Sequence, residues 1–218
     1  MKTRIRKGHG AYMLRQFFKY IFQSIAGMIG ISVYILADTF FISVHSGADG
    51  LAVLNLILPV YGLVYAIGAM IGIGSATRFG INRAKGENTD HYFLQSVFWS
   101  VLCSVPFIIT GIVAPEKFLH LLGADAGLTA LGKSYLRIML ITTPLFMANY
   151  TFTAFARNDQ GTSTAMAGAI SASLFNIVFD YIFMFPMKLG LAGAALATAI
   201  SPAITMAICT THYLGKKN

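Results

Sequence analysis

The chain has 218 residues, of which 56% are hydrophobic and only 11% are charged, and its mean hydropathy is +0.67. A soluble domain carries about 25% charged residues, so this composition excludes a soluble globular protein and indicates an integral membrane protein. The net charge of +8 does not indicate nucleic-acid binding, because the basic residues are spread between apolar stretches, as the loops of a membrane protein require.

Six stretches are apolar and long enough to span a membrane, since a spanning helix needs about 20 such residues. They cover residues 18–44, 51–77, 92–114, 135–156, 163–186 and 190–213. A basic leader (1–17) precedes them, a basic tail (215–218) follows them, and the only longer connection runs from 115 to 134. The sequence therefore predicts an all-α, polytopic membrane protein with a six-helix bundle over 18–214.

The basic residues lie mainly on one side of the predicted bundle. Twelve Lys and Arg residues fall on the side of the two termini and four on the opposite side. Basic residues are enriched in cytoplasmic loops, so we expect both termini to be cytoplasmic. The location expected for such a multi-pass protein is the bacterial cytoplasmic (inner) membrane.

The residues that usually carry enzyme chemistry are not arranged for it. Cys103 and Cys209 both lie inside apolar spans, and the histidines do not show the spacing of a zinc site. The sequence has no Ser/His pairing and no opposed acids beside a nucleophile. We expect no enzymatic activity, no cofactor and no bound metal beyond a transported or coupled ion.

Two acidic residues, Asp38 and Asp180, lie within apolar spans. A carboxylate at the centre of a spanning helix costs about 3 kcal/mol or more, so such an acid usually faces the interior of a bundle and has a function. The alternative is a structural hydrogen bond between helices. Asn176 precedes Asp180 by four residues, which places both side chains on one helix face.

The sequence around each acid shows the same order: an acid, a glycine 12 or 13 residues later and a proline nine residues after the glycine. The two sets are Asp38, Gly50 and Pro59, and Asp180, Gly193 and Pro202. Five residues after each glycine stands a small polar residue, Asn55 in one set and Thr198 in the other. The match is either a parallel internal repeat, as transporters use, or chance similarity between apolar helices.

The predicted depths bring four polar residues together in the outer half of the bilayer. Asp38 and Asp180 lie about 9 Å and Thr198 about 12 Å from the outer ends of their helices, at about 1.5 Å per residue. Asn176 lies one turn deeper than Asp180. Two neighbouring carboxylates with neutral oxygens form a site for H⁺ or Na⁺, because both acids cannot ionise cheaply side by side.

Other polar residues within the spans are candidates for a substrate cavity, although packing between helices or an interfacial belt would also explain them. They are Tyr34, Asn55, Asn149, Tyr150 and Thr153.

Several motifs, in this order and spacing, resemble the N-terminal half of transporters of the multidrug and toxic compound extrusion (MATE) family. They include Leu36-Ala-Asp-Thr-Phe-Phe-Ile42 and Leu51-Ala-Val in the first hairpin, and Ala156-Arg-Asn-Asp-Gln-Gly-Thr162, which is similar to the family's Arg-Gly-x-Gly-Asp-Thr turn. Asn176, Asp180 and the run from Gly190 to Thr198 complete the resemblance, which covers nearly the whole chain.

The resemblance implies antiport, in which a cationic, amphiphilic drug leaves the cell while H⁺ or Na⁺ enters. It also implies that Asp38, Asn176, Asp180 and Thr198 form the cation-coupling site of the N-terminal lobe. By the same resemblance, Tyr34 borders the drug cavity.

Two departures from the family stand out. The proline that many members have near the start of helix one is replaced here by Phe22-Gln23-Ser24. The family has twelve helices in two lobes, whereas this chain contains one lobe, so we expect a truncated form, a gene fragment or a half-transporter that pairs with a second copy. The partners implied are drugs, membrane lipid and a second lobe.

Two alternatives to drug export stay open at this point. One is a flippase for lipid-linked oligosaccharides in the same superfamily, for which Arg137 is the only basic residue deep enough to face a cavity. The other is a membrane scaffold or fragment without transport activity.

Overall fold

The computed structural model describes residues 2–89 and 91–215, with side chains for 13–89 and 91–211. Within these residues the chain forms seven helices and no strand. They are α1 (Lys2–Ala84), α2 (His91–Val113), α3 (Pro115–Leu121), α4 (Ala126–Ile141), α5 (Thr143–Asn158), α6 (Thr162–Met184) and α7 (Leu191–Gly215). The predicted all-α fold is confirmed.

Helix α1 contains the first two predicted spans and reverses direction at a single residue. Gly47 has φ 60° and ψ −145°, a left-handed backbone conformation that glycine enters without steric cost. A Cβ built on Gly50 would lie 3.1 Å from Cγ2 of Ile42, whereas eight residues of straight helix cover about 12 Å. The chain therefore turns back at Gly47, and α1 consists of a first arm (2–46) and a second arm (48–84).

The number of membrane passes follows from this reversal. Helices α1, α2, α6 and α7 are each long and apolar enough to cross a membrane, and α4 together with α5 forms a fifth candidate. Because the two arms of α1 run in opposite directions, they are separate passes. Over residues 2–89 and 91–215 the bundle thus has the six passes that the sequence predicts.

The predicted span over 135–156 is divided between two helices. Helices α4 and α5 meet at Thr142 with a bend of 46°. Pro144 lies in the first turn of α5, where its missing N–H is not needed, but it cannot donate the hydrogen bond that would continue α4. The carbonyl of Leu140, which residue 144 would serve in a continuous helix, accepts instead from the hydroxyl of Thr143 at 2.8 Å.

The region 115–134, which we expected to be a connection, is largely helical. It contains α3 and the first half of α4. The side chain of Asp125 accepts a hydrogen bond from the backbone N–H of Leu128 at 2.8 Å, so it caps α4 at its N-terminus. The short helix and the cap explain why α4 begins nine residues before the predicted span.

Glycines bring the arms of α1 against their neighbours at two different separations. A Cβ on Gly68 or Gly72 would lie 2.8 and 2.7 Å from the nearest atoms of α5, so the second arm fits α5 without room for a methyl group. A Cβ on Gly27 or Gly30 would lie 3.8 and 3.4 Å from the nearest atoms of α6. The first arm therefore packs less tightly on α6 than the second arm packs on α5.

A ladder of hydroxyl groups joins α2 to α5. Ser96 and Ser100, one turn apart on α2, both lie within hydrogen-bond distance of the Thr151 hydroxyl, at 2.9 and 3.4 Å, and all three are buried. Together with the close contact at Gly72, these bonds tie the second arm, α2 and α5 into one unit.

The predicted terminal segments are only partly described. Helix α1 begins at Lys2, so the leader (1–17) continues into the first span, and Met1 lies outside the described residues. Of the predicted tail (215–218), only Gly215 is described. The boundaries at 18 and 214, and the cytoplasmic placement of both ends, stay predictions.

Candidate functional site

The two intramembrane acids lie on helices that pack against each other, Asp38 on the first arm of α1 and Asp180 on α6. Asp38 is 7% exposed and Asp180 is fully buried. The carboxyl groups are close enough to interact electrostatically. Among the described residues, the Oδ1 atom of each acid has no hydrogen-bond partner. An ionised carboxylate is costly to bury without a partner, so this pair is suited to hold a proton or a cation.

Asn176 and Thr198 connect Asp180 to α7. With the amide nitrogen of Asn176 turned toward Asp180, it donates to Oδ2 at 3.0 Å, and the amide oxygen accepts from the Thr198 hydroxyl at 3.1 Å. The opposite orientation would place the amide oxygen against the carboxylate, which is also an acceptor. Asn176 and Thr198 are both buried. Through these hydrogen bonds and the electrostatic interaction between the acids, the structure brings together the four predicted residues, Asp38, Asn176, Asp180 and Thr198.

Two tyrosines that the sequence analysis did not select also flank Asp38. Tyr61, on the second arm, and Tyr135, on α4, lie within electrostatic range of the carboxyl group and of each other. The Tyr61 hydroxyl also contacts Sδ of Met139 at 2.8 Å. Nothing in the sequence distinguishes these tyrosines from the packing and interfacial tyrosines of other spans.

Of the five predicted cavity residues, Tyr34 lies near the acids and Tyr150 lies near Tyr34. Tyr34 is half-buried and within electrostatic range of both Asp38 and Asp180. Tyr150 packs edge-on against Tyr65, with ring centroids 4.9 Å apart, and interacts electrostatically with Tyr34. A role for these two tyrosines in a substrate cavity stays a prediction.

The other three predicted cavity residues differ from one another in their surroundings. The Oδ1 atom of Asn149 is buried without a partner among the described residues. The Thr153 hydroxyl donates to the backbone carbonyl of Asn149 at 2.8 Å, within its own helix. Asn55 is exposed on the second arm, whereas Thr198 is buried. These two positions, which correspond in the sequences that follow Asp38 and Asp180, therefore have different environments. A cavity role for all three stays a prediction.

Comparison with known proteins gives concordant results. The sequence profile of the MatE family matches residues 24–182. The multidrug export protein MepA of Staphylococcus saprophyticus is 28% identical over 190 residues, which are 85% of this chain and 42% of MepA. This chain therefore spans less than half the length of that relative.

Solved structures show the same relationship. An outward-facing multidrug resistance MATE family transporter of the MOP superfamily aligns with a TM-score of 0.81 at 25% identity, over 90% of this chain and 44% of that one. A MOP superfamily transporter from Pyrococcus furiosus, whose reversed binding-pocket polarity suggests a different function for that protein, aligns with the same score, identity and coverage. Since the family profile covers most of the residues, the chain belongs to the MatE family and corresponds to roughly one lobe of its transporters.

Proposed function

We propose that this chain is one lobe of a cation-coupled antiporter that exports cationic, amphiphilic compounds while H⁺ or Na⁺ moves inward. The observation that carries the proposal is the buried pair Asp38 and Asp180, each with one oxygen lacking a partner among the described residues. The multidrug export function of relatives such as MepA supports the choice of drug-like substrates and favours a transporter over an enzyme.

The chemistry of the cluster suits either coupling ion. A proton or a Na⁺ ion between the two carboxyl groups would remove the repulsion between them. Na⁺ is a hard cation, and the carboxylate, amide and hydroxyl oxygens of Asp38, Asn176, Asp180 and Thr198 are suitable ligands. Rotation of the Asn176 amide would exchange its donor for an acceptor, so this residue can serve a carboxylate or a cation.

Ion binding is proposed to act through the first arm of α1. Asp38 belongs to this arm and Asp180 to α6, so a shared ion draws the two helices together. The first arm is also the more loosely packed of the two arms, as the space at Gly27 and Gly30 indicates. Tyr34 lies one turn before Asp38, and a shift of the first arm therefore changes the shape of the cavity where a drug would bind.

Transport requires a second lobe, which we propose is either a further part of the same protein or a second copy of this chain. The cavity would then lie between the lobes, with Tyr34 and Tyr150 at its edge. Aromatic rings of this kind attract organic cations through their faces.

The test is coupled export by the complete protein in proteoliposomes. Ethidium efflux is measured under an imposed pH gradient alone and under a Na⁺ gradient alone, which identifies the ion. Asp180→Asn and Asp38→Asn are each expected to slow export at least about tenfold, because an ion held by charge-assisted contacts loses on the order of 1.5–3 kcal/mol. Asp49→Asn, at an exposed position near the turn of α1, is the control and should transport normally. Wild-type rates in Asp180→Asn would refute the role assigned to that residue.

The two alternatives give different results in the same assay. A lipid flippase would need a basic residue in the cavity, for which Arg137 on α4 is the candidate, but the multidrug exporters among the relatives do not favour this function. A scaffold without transport activity would bind no ethidium and move none under either gradient.

We also propose that the protein lies in the bacterial cytoplasmic membrane with both ends inside. A fluorescent protein fused after Asn218 should then fluoresce, whereas alkaline phosphatase at the same position should be inactive. The reverse pattern would overturn this orientation.

A further inference from the structure

A cleft with a volume of about 420 Å³ lies at the end of the bundle where α1 and α5 finish. One wall is the end of α1, including Phe79 and Arg83, and the other is the turn between α5 and α6, including Asn158, Asp159 and Gln160. Cavities of about 300–1,000 Å³ accommodate small ligands or ligand groups, so the cleft is large enough to be a binding site. It lies apart from the cluster of buried acids.

An ion pair forms the polar part of this cleft. Nη1 of Arg83 lies 2.6 Å from Oδ1 of Asp159, and the Arg83 guanidinium also lies over the ring of Phe79, 5.5 Å from its centroid. The side chain of Arg83 is 56% exposed and that of Asp159 is 11% exposed. The guanidinium therefore faces the opening of the cleft, with the carboxylate deeper beside it.

The turn that carries Asp159 is fixed to α1. The Asn158 amide donates to the backbone carbonyl of Ala76, and the side chain of Asn158 fills the space beside Gly80. A flexible turn would let the ion pair drift, whereas this hydrogen bond holds Asp159 beside Arg83.

The sequence of the second arm places the cleft at the depth of lipid headgroups. The apolar part of the second arm ends at Arg78, and Arg83 follows five residues later, which is about 7.5 Å along the helix. Each headgroup layer is about 5–8 Å thick, given a hydrocarbon core of about 30 Å and a whole bilayer of about 40–45 Å. Phe79 is placed at the boundary, where it can contact the start of an acyl chain.

We propose that this cleft binds the headgroup of a zwitterionic phospholipid with a primary ammonium group, as in phosphatidylethanolamine. The phosphate would bind Arg83, whose planar guanidinium has five N–H donors and is not exhausted by one carboxylate oxygen. The ammonium would donate to Asp159. An anionic headgroup without an ammonium would bring its negative charge to the Asp159 carboxylate without compensation. This inference does not depend on the proposed transport function.

The test is lipid retention by the full chain in nonionic detergent. The protein is incubated with equal amounts of dioleoyl phosphatidylethanolamine, phosphatidylcholine and phosphatidylglycerol, and bound lipid is counted by native mass spectrometry. Phosphatidylethanolamine is expected to bind best, because the quaternary ammonium of phosphatidylcholine has no N–H to donate. Arg83→Gln should reduce its binding about tenfold through loss of charge-assisted hydrogen bonds. Asp159→Asn should lower it to the level of phosphatidylcholine.

Arg78→Gln is the matched control, since Arg78 is an exposed arginine on the same helix that does not line the cleft, and its lipid binding should equal that of the wild type. Circular dichroism and size-exclusion chromatography check that each variant is folded. Should Arg83→Gln not fold, Arg83→Lys keeps the charge but loses the planar fork, and it should still bind phosphatidylethanolamine more weakly than the wild type. Equal or better binding of phosphatidylglycerol, or unchanged binding in the folded Arg83 and Asp159 variants, would overturn the proposal.

Discussion

Replacing Gly72 by alanine should destabilise the bundle, because the added methyl group meets backbone atoms. Its Cβ would lie 2.7 Å from the backbone N of Thr151 and the carbonyl carbon of Tyr150, and 2.9 Å from the Tyr150 oxygen. A backbone cannot rotate aside as a side chain can, so α1 and α5 must separate by several tenths of an ångström. Overpacking of this kind costs about 1–3 kcal/mol, and the better helix propensity of alanine returns about 0.5–1 kcal/mol. We expect a net loss of about 1–2 kcal/mol in the free energy of unfolding.

Gly27→Ala is the matched control, because its Cβ would lie 3.8 Å from Cβ of Ala169, an ordinary van der Waals distance. That variant should be as stable as the wild type or more stable by up to about 1 kcal/mol. Thermal unfolding in detergent, followed by scanning fluorimetry, measures both. For a chain of this size 1 kcal/mol shifts Tm by about 2–4 °C, so Gly72→Ala should melt about 2–8 °C lower. A Gly72→Ala protein that melts at the wild-type temperature would show that the contact between the second arm and α5 is not as close as described.

Three further substitutions have defined outcomes. Gln160 has φ 65°, and a left-handed backbone costs a residue with a side chain about 1–2 kcal/mol. Gln160→Gly should therefore raise Tm, although glycine loses more conformational entropy on folding. A lower Tm would contradict this. A hydrogen bond from Lys133 holds the pKa of Glu116 below its ordinary value, so the stabilisation is present at neutral pH and is lost as pH falls through that lowered pKa. The Tm of Glu116→Gln should therefore lie slightly below that of the wild type at neutral pH and coincide with it in strong acid. Asn176→Ala removes the amide donor that lies 3.0 Å from Oδ2 of Asp180. It should slow coupled export about tenfold, while the helical content stays unchanged. Export at the normal rate would argue against a role for this amide.

Much of the candidate site could be predicted from the sequence because an acid within an apolar span has few ways to be accommodated. Asp38 and Asp180 had to face the bundle, and the depth of each along its helix then placed them near Asn176 and Thr198. The structure brings these four together. Their role in coupling is still a prediction, since geometry alone does not show which ion they bind.

Other features depend on tertiary contacts that leave little trace in the sequence. Arg83 and Asp159 lie 76 positions apart, and each resembles an ordinary charge at the end of a span until the helices are packed. Pro144 can be read from the sequence, but the mean hydropathy of about 20 residues does not show that α4 and α5 are two separate short helices. The serines at 96 and 100 do show a helical spacing, so the hydroxyl ladder was the most recognisable of the features that the sequence analysis did not select.

The reversal at Gly47 determines where the protein can accept foreign sequence. Proteases cut, and inserted epitopes are tolerated, where several residues form a turn outside the helices, as residues 85–89 do between α1 and α2. Between the arms of α1 the helix continues up to Gly47 and resumes immediately after it, so a tag placed there would have to break a helical turn on one side or the other. Labels that report on which side of the membrane a loop lies therefore belong in the turn at 85–89. The turn at Gly47 should resist both digestion and insertion.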